Sequence, residues 1–289
     1  MIIFLWNKLT DWTGGMMRYV IFYFSGTGNT WFAATKLKEA LGEDRTQCYS
    51  IENDDVKGNI NDLIREADQI ILGYPIYGSE APRLMQTFIN EMPSLKVTKP
   101  IAVFCTQAFM SGDGANYLVD VLLKKGYQLT QTQELKMSNN FYVPVFIRAF
   151  KVGSYDQILK RNEKAHKKII EFAGRIRQSE KSIKSINSLH TWLGDTQRKH
   201  MDTYITKVNE NIFADESCIK CGKCVKLCPV KNIGLSDKIE FSSQCIACMR
   251  CYQSCPTSSI QITNASKDLE KYPRFKGPVE KFDFNLLKV

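Results

Sequence analysis

The apolar positions of this chain fall first in short unbroken runs and later in helical stripes. Arg18-Tyr-Val-Ile-Phe-Tyr-Phe24, Gln69-Ile-Ile-Leu-Gly-Tyr-Pro-Ile-Tyr-Gly78 and Pro100-Ile-Ala-Val-Phe-Cys-Thr106 are β-rich runs with little polar alternation, the pattern of parallel strands buried on both faces. A helical stretch follows each: Trp31 to Leu41, a segment opening near Pro82, and Ala115 to Lys125. Strands alternating with helices predict an α/β domain with a doubly wound parallel sheet. Tyr155 to Arg177 reads as a long amphipathic helix with Ile158, Leu159, Ala165, Ile169, Ile170, Phe172 and Ala173 on its apolar side, and its first part closes that domain. Ser179 to Asn187 is a polar break, and Asp195 to Val208 is again helical. The last stretch, Ala265 to Val289, carries Pro273, Pro278 and spaced aromatics and is expected to wrap back over one of the domains.

A length of 289 residues at 44% hydrophobic composition suggests two domains. No apolar run approaches the roughly 20 residues of a membrane span. Met1 to Trp6 are too few for a signal h-region and no cleavage pattern follows. Met16 or Met17 fits a start directly before the first strand, so residues 1–17 read as an N-terminal extension of a cytoplasmic protein. The formal net charge of +9 treats every cysteine as neutral, and bound anionic groups would offset most of it. The excess is concentrated where Lys160, Arg161, Lys164, Lys167, Lys168, Arg175, Arg177, Lys181 and Lys184 crowd one stretch. That stretch reads as a solvated helix face or as a docking surface for an acidic protein, and not as a nucleic-acid site.

Eight of the ten cysteines stand in two copies of one spacing: Cys218-x2-Cys221-x2-Cys224-x3-Cys228-Pro229 and Cys245-x2-Cys248-x2-Cys251-x3-Cys255-Pro256. A cubane cluster needs four converging thiolates, and a tight loop with cysteines at x2 spacing wraps three corners of it. In the two-cluster pattern the cysteine before the proline ligates the other cluster. This gives Cys218, Cys221, Cys224 and Cys255 to one [4Fe-4S] cluster and Cys228, Cys245, Cys248 and Cys251 to a second. Zinc would leave cysteines over, and disulfides fit poorly without a secretory signal. Cys-Ile-Lys-Cys-Gly-Lys-Cys-Val-Lys-Leu-Cys-Pro-Val-Lys-Asn-Ile is echoed by Cys-Ile-Ala-Cys-Met-Arg-Cys-Tyr-Gln-Ser-Cys-Pro-Thr-Ser-Ser-Ile, an internal repeat. This part, residues 211–264, resembles the bacterial-type ferredoxin domain, which implies two short hairpins and two short helices.

The first predicted strand runs into Ser25-Gly26-Thr27-Gly28-Asn29-Thr30 and then a helix, an arrangement whose backbone N–H groups face an anion. Hydroxyls of Ser25, Thr27 and Thr30 add donors. The loop lacks both G-x4-G-K-[ST] and G-x-G-x-x-G; its S-x-T-G-x-T pattern resembles the flavodoxin loop that holds FMN phosphate. Loops beyond strand carboxyl ends converge in such a sheet. The resemblance therefore implies a flavin ring between the second loop, with Pro75, Ile76, Tyr77 and Gly78, and the third, with Thr106, Gln107, Phe109 and Gly112. Tyr77 and Phe109 are candidates for ring contacts, or ordinary loop aromatics packed on the domain edge. The second loop lacks the tryptophan many flavodoxins carry. Cys48 and Cys105 read as small hydrophobes, and His166, His190 and His200, without metal spacing, as surface or inter-domain residues.

The domain reading is thus 18–178 flavodoxin-like, 179–210 a helical linker, 211–264 ferredoxin-like and 265–289 a tail. The whole resembles a family of flavodoxin–ferredoxin fusions typical of anaerobes. The resemblance implies a carrier relaying electrons between two [4Fe-4S] clusters and FMN, with redox proteins, a ferredoxin- or flavodoxin-type donor or an acceptor oxidoreductase, as partners. The alternative is an FMN-dependent reductase of a quinone, tetrapyrrole or nitro compound fed by the clusters. No catalytic residue is assigned: Asp113 sits in a Gly-Asp-Gly turn that explains it equally well. A redox sensor would need an effector or DNA-binding module, and none is apparent.

Overall fold

The computed structural model describes residues 17–145 and 151–289, so the extension read over residues 1–17 lies, Met17 apart, outside the described residues. Five strands, β1 (Tyr19–Tyr23), β2 (Thr46–Ser50), β3 (Gln69–Pro75), β4 (Lys99–Gln107) and β5 (Tyr127–Lys136), form one parallel sheet in the order β2-β1-β3-β4-β5. Chain order reverses between β1 and β3, which opens a crevice beyond their carboxyl ends. Close strand approach is marked at Gly73, where an added Cβ would lie 2.2 Å from the Phe104 ring.

Helices α1 (Asn29–Leu41), α2 (Asp54–Glu66), α3 (Arg83–Glu91), α4 (Val119–Lys124) and α5 (Tyr155–Arg177) cover both faces. Val20, Phe22, Ile70 and Leu72 pack with Val56, Met85 and Ile89 on one side; Tyr19, Ile21 and Ile71 pack with Leu37, Ile169 and Phe172 on the other. Each such side chain stabilises the fold by about 1.5–3 kcal/mol on burial. The α5 span agrees with the sequence reading. Its buried stripe does not include Leu159 and Ile170, which are exposed, and gains Asn162 and Ile176, because 100° per residue carries those two positions off the sheet-facing side.

The helix expected over 115–125 is broken. Residues 114–116 form a 3₁₀ turn whose bonds run three residues back (Gly114 N to Ser111 O 2.7 Å, Asn116 N to Asp113 O 2.8 Å), and α4 begins only at Val119. The polar break is ordered as well: Ser182 pairs beside Gln131 at the edge strand β5.

Helix α6 (Ser188–Asn211) is longer than predicted and leads into β6 (Phe213–Ala214), α7 (Lys223–Leu227), β7 (Ile233–Leu235), β8 (Ile239–Phe241), α8 (Arg250–Ser254) and β9 (Ile260–Gln261). Only β7–β8 is a hairpin; β6 pairs antiparallel with β9 and so ties the two ends of this unit together. The tail crosses back to the parallel sheet, where Val289 O accepts from Ser50 N at 3.0 Å and Phe282 meets Trp31 at 5.1 Å between ring centroids. No helix among the described residues is long and apolar enough to cross a membrane.

Candidate functional site

The loop after β1 enters α1 through Gly28, whose φ of 111° is left-handed and favours glycine. The first intrahelical bond is Phe32 N to Gly28 O, 2.8 Å, so the preceding N–H groups of Asn29, Thr30 and Trp31 have no carbonyl within the helix. Ser25, Thr27, Asn29 and Thr30 are all buried. The Ser25 hydroxyl accepts from Gly28 N at 3.1 Å, and the hydroxyls of Thr30 and Thr106 share a hydrogen bond of 2.8 Å. First and third loops are thereby joined.

Beside this loop lies a cleft of about 290 Å³ lined by Asn29, Pro75, Ile76, Tyr77, Gly78, Thr106, Gln107 and Phe109. The second and third predicted loops therefore do converge, with Asn29 the phosphate-loop residue that reaches the wall. Gly112 does not line it. Its left-handed turn (φ 53°) packs against α6, where an added Cβ would lie 2.9 Å from Gly194 N and His190 O; glycine is required there for helix contact. Helix α6 completes the wall with Gln197 and Met201, absent from the sequence reading, and with His200, read there as a surface or inter-domain residue; Ser138, Asn139, Asn140 and Phe141 come from the segment after β5. His200 is exposed and lies in the cleft wall where α6 meets the loops of the parallel-sheet domain. Arg198 clamps α6 here by donating to Asp113 (2.8 and 3.1 Å), and Ser79 bonds Gln197 at 2.6 Å.

FMN fits these residues. Asn29 Oδ1, Gln107 Oε1 and Ser138 Oγ are buried without a hydrogen-bond partner, and all three residues line the cleft, so a polar ligand there would relieve a desolvation cost of about 1–3 kcal/mol for each. Bound FMN supplies exchange of one or two electrons.

The eight motif cysteines surround two further cavities. Cys218, Cys221, Cys224 and Cys255 line one; Cys228, Cys245, Cys248 and Cys251 line the other. These are the two quartets of the crossed assignment. None of the eight is paired in a disulfide. Backbone N–H groups already face three sulfurs: Asn232 N on Cys228 (3.2 Å), Ala247 N on Cys245 (3.3 Å) and Ser259 N on Cys255 (3.3 Å). Such bonds favour thiolate and tune a cluster. Burial pushes the Cys248 thiol up to about 12 and that of Cys224 to about 11, a cost that iron binding would have to meet. Of the remaining cysteines, burial pushes Cys48 up to about 12, and Cys105 is fully buried at the end of β4; both are packing residues.

The second quartet lies near this cleft. An added Cβ at Gly26 would stand 2.6 Å from the Cys248 carbonyl and 2.7 Å from the Tyr77 hydroxyl, so Tyr77 borders the cleft with its ring and reaches the cysteine loop with its phenol. Burial holds that phenol well above its ordinary range. Phe141, in the cleft wall, packs on Tyr204 at 4.5 Å, and Tyr204 faces Cys245 and Tyr77. Helix α6 contributes Met201 to the cleft and Val208 to the quartet, seven residues or about 10 Å along a helix.

Arg250, within the second cysteine loop, joins the two units. Its guanidinium is fully buried and forks onto Glu52 (2.6 and 2.9 Å), and its other donors meet Ser25 O (2.8 Å), Gly26 O (3.3 Å) and Leu227 O (3.0 Å). One side chain thus holds the phosphate loop, the end of β2 and the cysteine unit together.

Comparison with known proteins agrees with this architecture. The Flavodoxin domain model matches residues 20–183 and the 4Fe-4S dicluster domain model residues 210–256. Similar solved structures include a flavodoxin from the domain Archaea (15% identity over 56% of this chain and 99% of that one, TM-score 0.38). Oxidised flavodoxin 2 from Bacillus cereus is 21% identical over 56% and 98%, TM-score 0.39. Fusobacterium nucleatum flavodoxin bound to flavin mononucleotide is 17% identical over 57% and 100%, TM-score 0.38. No curated protein matches. With its five-stranded parallel sheet and its cysteine-rich unit matched in turn, the chain belongs to the flavodoxin domain family, as a flavodoxin–ferredoxin fusion equipped for FMN and iron–sulfur electron transfer.

Proposed function

We propose that the chain relays electrons between a redox protein and the flavin cleft, with Cys218, Cys221, Cys224 and Cys255 holding an outer [4Fe-4S] cluster and Cys228, Cys245, Cys248 and Cys251 an inner one. The observation that carries this is the contact of the Cys248 loop with Gly26 and Tyr77, which sets the inner quartet against the flavin loops, whereas Cys221 of the outer quartet is exposed. Ser25 to Thr30 would hold the FMN phosphate, and the 75–78 and 106–109 loops with α6 the ring. Tyr77, Phe141 and Tyr204 fill the space between with packed aromatic rings, and the Arg250 network fixes the separation. A carrier with domains on a loose tether would need none of these contacts.

The test is anaerobic preparation with iron, sulfide and flavin quantified, then stepwise reduction while the flavin spectrum is followed. About eight iron and one FMN per chain, with flavin bleaching as the clusters fill, is the expected result. Iron without flavin, or filled clusters beside an unchanged flavin, would end the relay reading.

A second reading, reduction of a small molecule at the cleft, is favoured by His200, a proton donor in the wall. In that case His200→Gln should slow a two-electron acceptor such as a quinone at least about tenfold and leave transfer to a one-electron protein acceptor unchanged. Equal effects on both acceptors would remove His200 from proton delivery.

A further inference from the structure

The two cysteine repeats share a backbone and face different surroundings. Lys220 and Ala247 occupy matching positions with φ 53° and 51°, Gly222 and Met249 with φ 71° and 61°, and Lys231 and Ser258 with φ 52° and 55°. Ile246 is 7% exposed and packs into the core of the parallel-sheet domain; its counterpart Ile219 is 63% exposed. Arg250 is fully buried in the contact with Glu52, while its counterpart Lys223 lines the outer cavity. The second repeat has thus spent this surface on the flavodoxin unit. The first repeat presents the same surface to solvent.

The cysteine segment that carries that surface is cationic. Cys218 to Cys228 contains Lys220, Lys223 and Lys226 and no acid, and Lys220 and Lys226 are exposed. The tail adds two more: Lys276 lies close enough to Lys223 and Cys255 to feel their charges, and Lys288 donates to Lys226 O at 2.5 Å. The neighbouring Glu216 faces Lys267 at 3.3 Å. An exposed apolar side chain in a lysine-rich segment, beside the exposed Cys221, has the anatomy of an interface, apolar at the centre and polar at the rim.

We infer that the Ile219 face is a docking port for an acidic one-electron carrier protein, which would exchange electrons through the outer cluster. This rests on the relay reading's placement of that cluster outermost, but not on transfer to flavin. A lipid surface fits less well, because delivery to a buried cluster requires a partner redox centre brought over Cys221.

The test uses the full-length holoprotein, reduced anaerobically and freed of reductant, mixed with ferric cytochrome b5 as the acidic probe and ferric cytochrome c as the basic one. Each haem takes one electron from a reduced cluster and becomes ferrous, and the haem bands report this apart from flavin. The second-order rate constant for the acidic probe should exceed that for the basic one at about 50 mM salt and fall at least about tenfold by about 500 mM. Lys220→Glu with Lys226→Glu should lower the acidic probe's rate about tenfold and raise the basic probe's, with iron content and dithionite titration unchanged. If that variant loses iron, the probe-charge and salt comparison on the unmodified chain decides. Equal rates for the two probes, or no salt dependence, overturns the inference. So does binding to phosphatidylserine vesicles that the double variant loses while the haem rates stay the same.

Discussion

Replacing Glu52 by Gln keeps the shape of the Arg250 contact and removes its counter-charge. The pair is bidentate at 2.6 and 2.9 Å, with side-chain exposures of 0% for Arg250 and 7% for Glu52. Breaking a buried pair by neutralising one partner costs about 3–5 kcal/mol. Arg250 keeps three carbonyl acceptors, and the Gln carbonyl replaces one carboxylate oxygen, which places the cost near about 3 kcal/mol. At about 1.4 kcal/mol per factor of ten, the docked arrangement of the two units loses roughly two powers of ten. Urea unfolding of the anaerobic holoprotein, followed separately at flavin and cluster absorbance, should show the two probes coinciding in the unmodified chain. In Glu52→Gln the cluster signal should separate to lower urea. Arg250→Met alone strands the carbonyls of Ser25, Gly26 and Leu227, so the informative comparison is the double-mutant cycle, expected to give a coupling of at least about 2 kcal/mol. A Glu52→Gln protein within about 0.5 kcal/mol of the parent, or additive single effects, would refute the claim that this pair fixes one unit on the other.

Gly26→Ala places a Cβ 2.6 Å from the Cys248 carbonyl and 2.7 Å from the Tyr77 hydroxyl, so it should destabilise docking by about 1–3 kcal/mol and slow flavin bleaching. Gly58→Ala, in α2 with nothing within 4 Å of its Cβ, should instead stabilise by up to about 1 kcal/mol, which separates crowding from a general glycine effect. Glu80 has its carboxyl raised by burial, with Asp202 adding to the rise against the opposing Tyr117 hydrogen bond. The fold therefore prefers the protonated form, and stability falls as pH rises from 4.5 through the higher folded value. Glu80→Gln should raise the urea midpoint at pH 7, with the difference vanishing below pH 4.5; a difference that persists in acid would point to some other contact.

Strands β1, β3 and β4 were legible because a strand covered on both faces has no polar alternation to obscure it, and the phosphate loop because only glycine takes φ 111° cheaply at Gly28. The repeated spacing picked out the eight cysteines that line the two cavities. Helix α6 was shortened in the sequence reading because its buried residues, Gly194, Met201, Tyr204, Ile205 and Val208, answer to two different sites. Gly194 and Met201 pack on the flavin loops and Val208 on the cysteine unit, so no single stripe emerges. His200 could be read only as a surface or inter-domain residue, since most of the cleft it lines, Asn29, Pro75 to Gly78, Thr106 to Met110 and Ser138 to Phe141, lies far from it in sequence.

The repeat itself was plain, but the division of labour between its copies was not. Ile219 and Ile246 are the same residue at the same place in one motif, and one is exposed where the other is buried. The isoleucines themselves do not distinguish the two copies. The difference arises from Glu52, 198 residues from Arg250, and from the loops that converge on Cys248. The positions between the cysteines carry the distinction: Ala247, Met249 and Arg250 in the copy that must pack, Lys220, Gly222 and Lys223 in the copy that need not. A duplicated cluster loop with identical backbone can therefore serve one copy as an internal joint and leave the other as an open contact. The side chains at those three positions decide which, and exchanging them between the repeats should transfer the cationic surface without moving a cysteine.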